Sequence, residues 1–145
     1  MPVKTLSIRI APAAYGLGLY ACRSFRRGEK IGRVQGDVEY DEMNGSEYAI
    51  DLSDGRLLEP GEPFRYLNHS CQPNCELLNN TADDADKTEY DVIVKAIRPI
   101  KEGEQLTIDY AWSADAAIPC GCQAQECRGW IVSADQLHIV RNKPR

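Results

Sequence analysis

Three cysteines near the C-terminal end, Cys120, Cys122 and Cys127, stand in the pattern Cys-x-Cys-x4-Cys, and Cys71 lies in a polar loop much earlier in the chain. Disulfides suit this spacing poorly, because Cys120 and Cys122 are too close to bridge easily and an odd thiol is left over. Four thiolates around one zinc ion use all of them and make a closed tetrahedral site with no position open for catalysis, hence a structural one. Its binding energy would contribute directly to folding, fastening the C-terminal segment onto the loop that carries Cys71. Three clustered thiols without metal are the plainer alternative on spacing alone. Of the other two cysteines, Cys22 reads as a small buried apolar residue, while Cys75 lies close to the site and spacing leaves its role open.

The loop is the least probable run in the chain. In Arg65-Tyr66-Leu67-Asn68-His69-Ser70-Cys71-Gln72-Pro73-Asn74 the apolar and aromatic residues stop at Leu67, and the residues after it can bond a ligand, cap a turn or bind a metal. Pro73 fixes its own φ and moves Gln72 away from helical geometry, so a shaped loop is expected rather than a helix. Gly16-Leu17-Gly18 permits positive φ and close approach of a ligand to the backbone, although a lone Gly-x-Gly is also the mark of a plain turn. Tyr110 and Trp112, in Thr107-Ile108-Asp109-Tyr110-Ala111-Trp112, could serve a site or be core aromatics on an alternating strand. His138 falls outside these motifs and reads as a surface residue.

A chain of 145 residues suits one domain with a single core. No apolar run approaches the ~20 residues of a membrane span, and no charged-then-apolar leader precedes Leu6, so a soluble, intracellular protein is expected. A reducing compartment also favours thiols used for metal. The formal charge of −5 and a pI near 5.1 argue against direct nucleic-acid binding, which calls for a basic stripe, and for a basic peptide as partner.

The elements that must position these residues read as many short strands. Residues 3–10 alternate apolar and polar, a half-buried strand ended by Pro12, and the glycine-punctuated stretch leads into a second strand. Residues 47–52 form another, turned at Ser53-Asp54-Gly55 and paired back as a hairpin with residues 57–60. Residues 79–89 are polar, acidic and aperiodic, an exposed loop before a strand over 90–97. Ser133-Ala-Asp-Gln136 has the form of a capping box ahead of a short helix. Finally, Ala21-Cys-Arg-Ser-Phe-Arg-Arg-Gly-Glu-Lys-Ile31 is echoed 75 residues later by Ala96-Ile-Arg-Pro-Ile-Lys-Glu-Gly-Glu-Gln-Leu106. Each copy reads as a strand end, a Gly-Glu turn and a new strand.

Gly16-Leu-Gly18, Tyr48 within Tyr-Ala-Ile-Asp, the run from Arg65 to Asn74, Gly103-Glu-Gln-Leu-Thr-Ile-Asp-Tyr110 and Cys120-Gly-Cys-x4-Cys-Arg-Gly129 together resemble a SET domain with its post-SET zinc segment. The match runs in family order over residues 3–130. The family comprises S-adenosylmethionine-dependent protein lysine methyltransferases. The resemblance implies a mainly β, β-clip-like fold of several small sheets with little helix. Its segment ending at Tyr110 threads a loop around residues 68–74 to form a pseudoknot, an exceptional topology that periodicity could not suggest. It also implies a SET domain over 3–114, a post-SET segment over 118–132 and a tail over 133–145 with room for a short helix.

By the same resemblance, Gly16, Leu17, Gly18, Tyr66, Asn68 and His69 hold the cofactor, Trp112 helps enclose the adenine and Trp130 covers it. Tyr110 is the active-site tyrosine beside the transferring methyl. Tyr48 bonds the target amine, and Tyr48, Ile108 and Tyr110 line the substrate channel. Deprotonating a free lysine at pH 7 costs about 4.6 kcal/mol, which burial beside a sulfonium lowers through desolvation and like charge. No histidine base is needed, and His69 is expected to be structural or to contact cofactor. The family usually has Phe or Tyr two residues before the active-site tyrosine. Ile108 stands here, without a hydroxyl to hold a water, which implies a pocket permissive for di- and trimethylation.

The span from residue 51 to 65 is short where many relatives carry a peptide-gripping insertion, so a partner or homodimer is expected to complete the groove. The implied function is methylation of a histone or histone-like basic tail, in the nucleus or on chromatin if the host is eukaryotic and in the cytoplasm if bacterial. The alternative is a catalytically silent peptide-binding or scaffold module on the same fold. Tyr48, Asn68, His69 and Tyr110 occurring together disfavour it.

Overall fold

The computed structural model describes residues 7–14, 16–39, 49–52, 55–80 and 90–141. Among them the chain forms twelve short strands in four small sheets, three 3-10 turns and a four-residue α-helix. In the largest sheet, β1 (Ile8–Ala13) pairs antiparallel with β2 (Gly16–Ala21) in continuous register from Ile8↔Ala21 to Ala13↔Gly16. The first strand therefore runs through Pro12 instead of ending there. β1 is the sheet edge, where a residue without an N–H is tolerated. The glycine stretch is itself the start of β2.

β3 (Lys30–Arg33), β9 (Val92–Ala96) and β8 (Cys75–Asn79) make a second sheet in the order β3-β9-β8. β4 (Gly36–Glu39), β6 (Leu57–Pro60) and β5 (Ile50–Asp51) make a third, with the expected hairpin in the register Ile50↔Leu58 and Asp51↔Leu57. Tyr48, the turn residues Ser53 and Asp54, and positions 81–89 of the acidic loop lie outside the described residues.

The sequence echo is a physical pairing. Ala21 N–H donates to Glu104 O and Ala96 N–H to Glu29 O, both at 2.9 Å. Gly103 N–H donates to Ala21 O and Gly28 N–H to Ala96 O, while Phe25 and Ile100 exchange both of their backbone bonds. Each bond has its counterpart with the two copies interchanged, so the copies clasp one another about a local two-fold at Phe25 and Ile100. Gly28 and Gly103 occupy equivalent turns with φ of 87° and 90°, where a side chain would be strained. Phe25 and Ile100 are buried in the main core with Leu19, Val34, Leu58, Val92, Val94 and Leu106.

A second, smaller apolar cluster gathers Trp130, Val132 and Val140 against Ala114, Ala117 and Leu137. It is built around β12 (Trp130–Ile131), which pairs with the exposed β11 (Ile118–Pro119), and α1 (Leu137–Val140), preceded by a 3-10 turn at Ala134–Gln136. The expected capping box does not form. Ser133 makes no side-chain cap bond, and the Gln136 side chain reaches across to accept the Ala114 N–H at 2.6 Å, a tertiary bond that outcompetes the local one.

Candidate functional site

The site is built on β10 (Gln105–Ile108), which lies between β2 and β7 (Asn68–His69). β7 pairs with it in parallel, Thr107↔Asn68 and Ile108↔His69, and Ser70 N–H continues the contact to Ile108 O. From another side, Asn74 Nδ2 donates to Gln105 O at 2.8 Å and its Oδ1 accepts Thr107 N–H at 2.9 Å. The Tyr110 hydroxyl donates to Leu67 O at 2.6 Å. Residues 67–74 thus wrap the strand, the threaded arrangement that the resemblance implied. Asn74 is almost fully buried, and its amide satisfies backbone groups that would be costly to leave unpaired there.

Alternation along β10 sends Leu106 and Ile108 into the core, while Gln105 and Thr107 face a cavity of about 710 Å3. Asn68, His69, Tyr110, Trp112, Ala13, Ile118 and Ile131 line it too. The Tyr110 ring lies 5.5 Å from that of His69 and 5.3 Å from that of Trp112. Mixed aromatic, apolar and amide walls at this size suit a nucleoside-sized ligand. Asn68 Nδ2 is fixed by Leu17 O at 3.1 Å and by Gln105 Oε1 at 2.8 Å. A Cβ on Gly18 would meet that Gln105 oxygen at 2.7 Å and Ala13 Cβ at 3.0 Å, so the second glycine is needed for close packing.

His69 is buried, and its Nδ1 accepts the Tyr110 N–H at 3.1 Å while Nε2 faces Cys71 Sγ at 3.4 Å. Burial holds its pKa below the usual histidine value, against the pull of Asp109. With Nδ1 committed as an acceptor, the ring is a spacer between Tyr110 and Cys71 and not a proton acceptor for a ligand.

The sulfurs of Cys71, Cys120, Cys122 and Cys127 lie within 4.8 Å of one another, with Cys71 at 3.9 Å from Cys120 and 4.0 Å from Cys127. Tetrahedral zinc with Zn–S of about 2.3 Å requires sulfurs about 3.8 Å apart, so the cluster fits the ion. Backbone N–H groups of Cys71, Cys122, Arg128 and Gly129 point at these sulfurs at 3.3–3.5 Å, as thiolates need. Burial pushes the Cys71 and Cys120 thiols up. At Cys122 burial is outweighed by hydrogen bonds from the Cys71 and Ala124 backbone and the neighbouring thiols, and its pKa falls to about 6. Cys75 stands apart from the four. Desolvation raises its pKa to about 12, and its thiol donates to Asn74 Oδ1. Cys22 is partly exposed, not buried as expected.

A SET domain family model matches residues 16–111. The chain belongs to the SET-domain family. It is 34% identical over 133 residues to human Histone-lysine N-methyltransferase 2D, covering 80% of this chain and 2% of that protein's length. Among solved structures, KRYPTONITE in complex with mCHH DNA, H3(1-15) peptide and SAH superposes with a TM-score of 0.73 at 20% identity, covering 88% of this chain and 30% of that one. A structure described under the structural basis for the product specificity of histone lysine methyltransferases gives 0.67 at 28% identity, covering 87% and 56%.

Within this SET domain, four of the residues expected to hold cofactor line the cavity: Asn68, His69, Tyr110 and Trp112. Gly16, Leu17 and Gly18 are not among the residues lining it; Leu17 O accepts from Asn68 Nδ2, and Gly18 leaves room for the Gln105 amide. Tyr66 is turned away, its hydroxyl on Glu62. Trp130 belongs to the second apolar cluster, and its neighbour Ile131 is the one that reaches the cavity. Ile108 belongs to the main core, against which Tyr110 is also packed. Sequence reasoning missed Gln105 and Thr107, although period-two alternation against Leu106 and Ile108 carries the signal. It also missed the ion pair of Arg128 with Asp109, two charged residues inside motifs that were read for their tyrosine and cysteines.

Proposed function

We propose that the chain is an S-adenosylmethionine-dependent protein lysine N-methyltransferase acting on a histone-like basic tail, with a structural zinc ion on Cys71, Cys120, Cys122 and Cys127. The observation that carries this reading is the cavity walled by Asn68, His69, Tyr110 and Trp112, with the Tyr110 hydroxyl anchored on Leu67 O at its edge. Support comes from a relative named as a histone-lysine N-methyltransferase and from a fold neighbour solved with an H3 peptide and SAH. S-adenosylmethionine, when bound, would supply an electrophilic methyl on a sulfonium to a lysine nitrogen that has first given a proton to solvent, with S-adenosylhomocysteine as the leaving group. Asn68, His69 and Trp112 hold the donor, and β10 with its loop fixes the angle at which donor and amine meet. The Tyr110 proton is committed to Leu67, so toward the reacting methyl the phenol offers lone-pair density. Tyr48 and Ile108 are assigned to the amine side.

Ile108, smaller than the aromatic residue usual at its position and without a hydroxyl, leaves the amine room to turn and accept further methyl groups. The net charge of −5 favours a basic peptide over a nucleic acid as the partner of this segment; a histone tail as that peptide would put its work on chromatin if the host is eukaryotic. A second copy or a partner completes the short peptide groove. The chain is taken to divide into a SET domain over 3–114, a zinc segment over 118–132 and a tail over 133–145, the last two sharing one apolar cluster through Trp130, Val132, Leu137 and Val140. The test is transfer of labelled methyl from S-adenosylmethionine to mixed core histones, with product masses read on the labelled peptide. Di- or trimethyl-lysine is expected. Monomethyl-lysine alone would overturn the permissive pocket, and a chain that binds donor but labels no basic protein would overturn the substrate class.

A further inference from the structure

Two routes of direct contact join the cysteine cluster to the aromatic wall of the cavity. Along the first, Cys71 Sγ faces His69 Nε2 and His69 Nδ1 accepts the Tyr110 N–H. The second starts at the Arg128 N–H, which donates to Cys71 Sγ at 3.3 Å. The Arg128 guanidinium then grips Asp109 with both terminal nitrogens, Nη1 to Oδ2 at 2.9 Å and Nη2 to Oδ1 at 2.8 Å. Asp109 Oδ1 in turn accepts the Ala111 N–H at 2.9 Å.

Ala111 has φ of 51°, the left-handed region that an alanine enters only when something holds it there. The turn it makes brings Trp112 back beside Tyr110. The Arg128 side chain is only 14% exposed, and its Nε is enclosed without a partner. Its position is therefore set by the two-pronged grip on Asp109. A planar fork of this kind fixes direction as well as distance, which a lysine cannot do.

We infer that Arg128 and Asp109 are positioning residues for the donor cavity: their fork holds the left-handed turn at Ala111, and through it makes the Tyr110–Trp112 wall depend on an ordered cysteine cluster. Neither residue touches the reacting atoms. The inference rests on the methyltransferase reading, because the quantity it predicts is affinity for the donor.

The test uses the zinc-loaded 145-residue chain as wild type, Asp109→Asn, Arg128→Lys and the double variant. S-adenosylhomocysteine binding is measured by calorimetry, and metal retention by release to a chromogenic chelator. Each single variant is expected to keep its metal and to bind S-adenosylhomocysteine about tenfold more weakly. The double variant should be no weaker than either single, as residues acting through one shared contact are non-additive. Variants that keep metal and bind like wild type would overturn the inference. So would variants whose loss of binding only tracks loss of metal, since the pair would then be a staple for the segment alone. A wild-type chain that fails to bind S-adenosylhomocysteine would sink the methyltransferase reading first, and the positioning role with it.

Discussion

At the scale of single residues, the site depends on a few atoms held from two directions. Gly18 is one: with Gln105 Oε1 2.7 Å from where its Cβ would sit, Gly18→Ala must displace the amide that fixes Asn68. A stability loss of about 1–3 kcal/mol is expected in denaturant titration, together with weaker donor binding in calorimetry. Ile108 is another. Ile108→Tyr puts a hydroxyl and extra volume beside Tyr110 and is expected to shift products toward monomethyl-lysine in peptide mass spectra, at a similar cost in stability. Asn68, His69 and the cysteines were legible because polar, ligand-capable residues crowd together without periodicity. Alternation carries the outward direction of Gln105, but its bond to Asn68 and the grip of Arg128 on Asp109 were not legible. Their roles exist only once β7 lies beside β10 and the cysteine segment folds back, contacts between stretches far apart in sequence.

At the scale of elements, the two echoing segments and the wrapped strand carry the architecture. Ile100→Ala removes one of the two side chains at the centre of the echo pairing. It is expected to cost about 2–5 kcal/mol, read from chemical unfolding. The hairpin of β5 with β6 and the Gly-Glu turns could be read from alternation and turn residues, since their partners are local. The edge position that lets β1 carry Pro12 could not, because sheet order is a tertiary fact. The same holds for Gln136, whose side chain serves Ala114 instead of Ser133. The threading of the segment ending at Tyr110 through residues 68–74 came only from family resemblance, since no local signal announces a threaded strand, and the parallel pairing of β7 with β10 is seen only in the fold.

At the scale of the whole molecule, a main core holds the sheets and a second apolar cluster with four cysteines closes the cavity from the C-terminal side. Removing zinc with a strong chelator is therefore expected to leave the strand signal in circular dichroism largely intact. S-adenosylhomocysteine affinity should fall by more than about tenfold, because the metal's binding energy orders the segment that carries Arg128 and Ile131. A preparation that loses metal and donor binding together, yet regains both on adding zinc, would match this division of labour.

The measurement that bears most directly on the central claim is single-turnover methyl transfer to a basic histone tail by wild type and Tyr110→Phe, with S-adenosylhomocysteine binding measured on the same preparations. The phenylalanine variant is expected to bind within about threefold of wild type and to transfer about a hundredfold more slowly, since on the proposed reading it loses an oxygen preorganised for the reacting methyl, together with the bond to Leu67 O. Transfer at the wild-type rate by Tyr110→Phe would contradict the assignment of the reaction centre to this tyrosine.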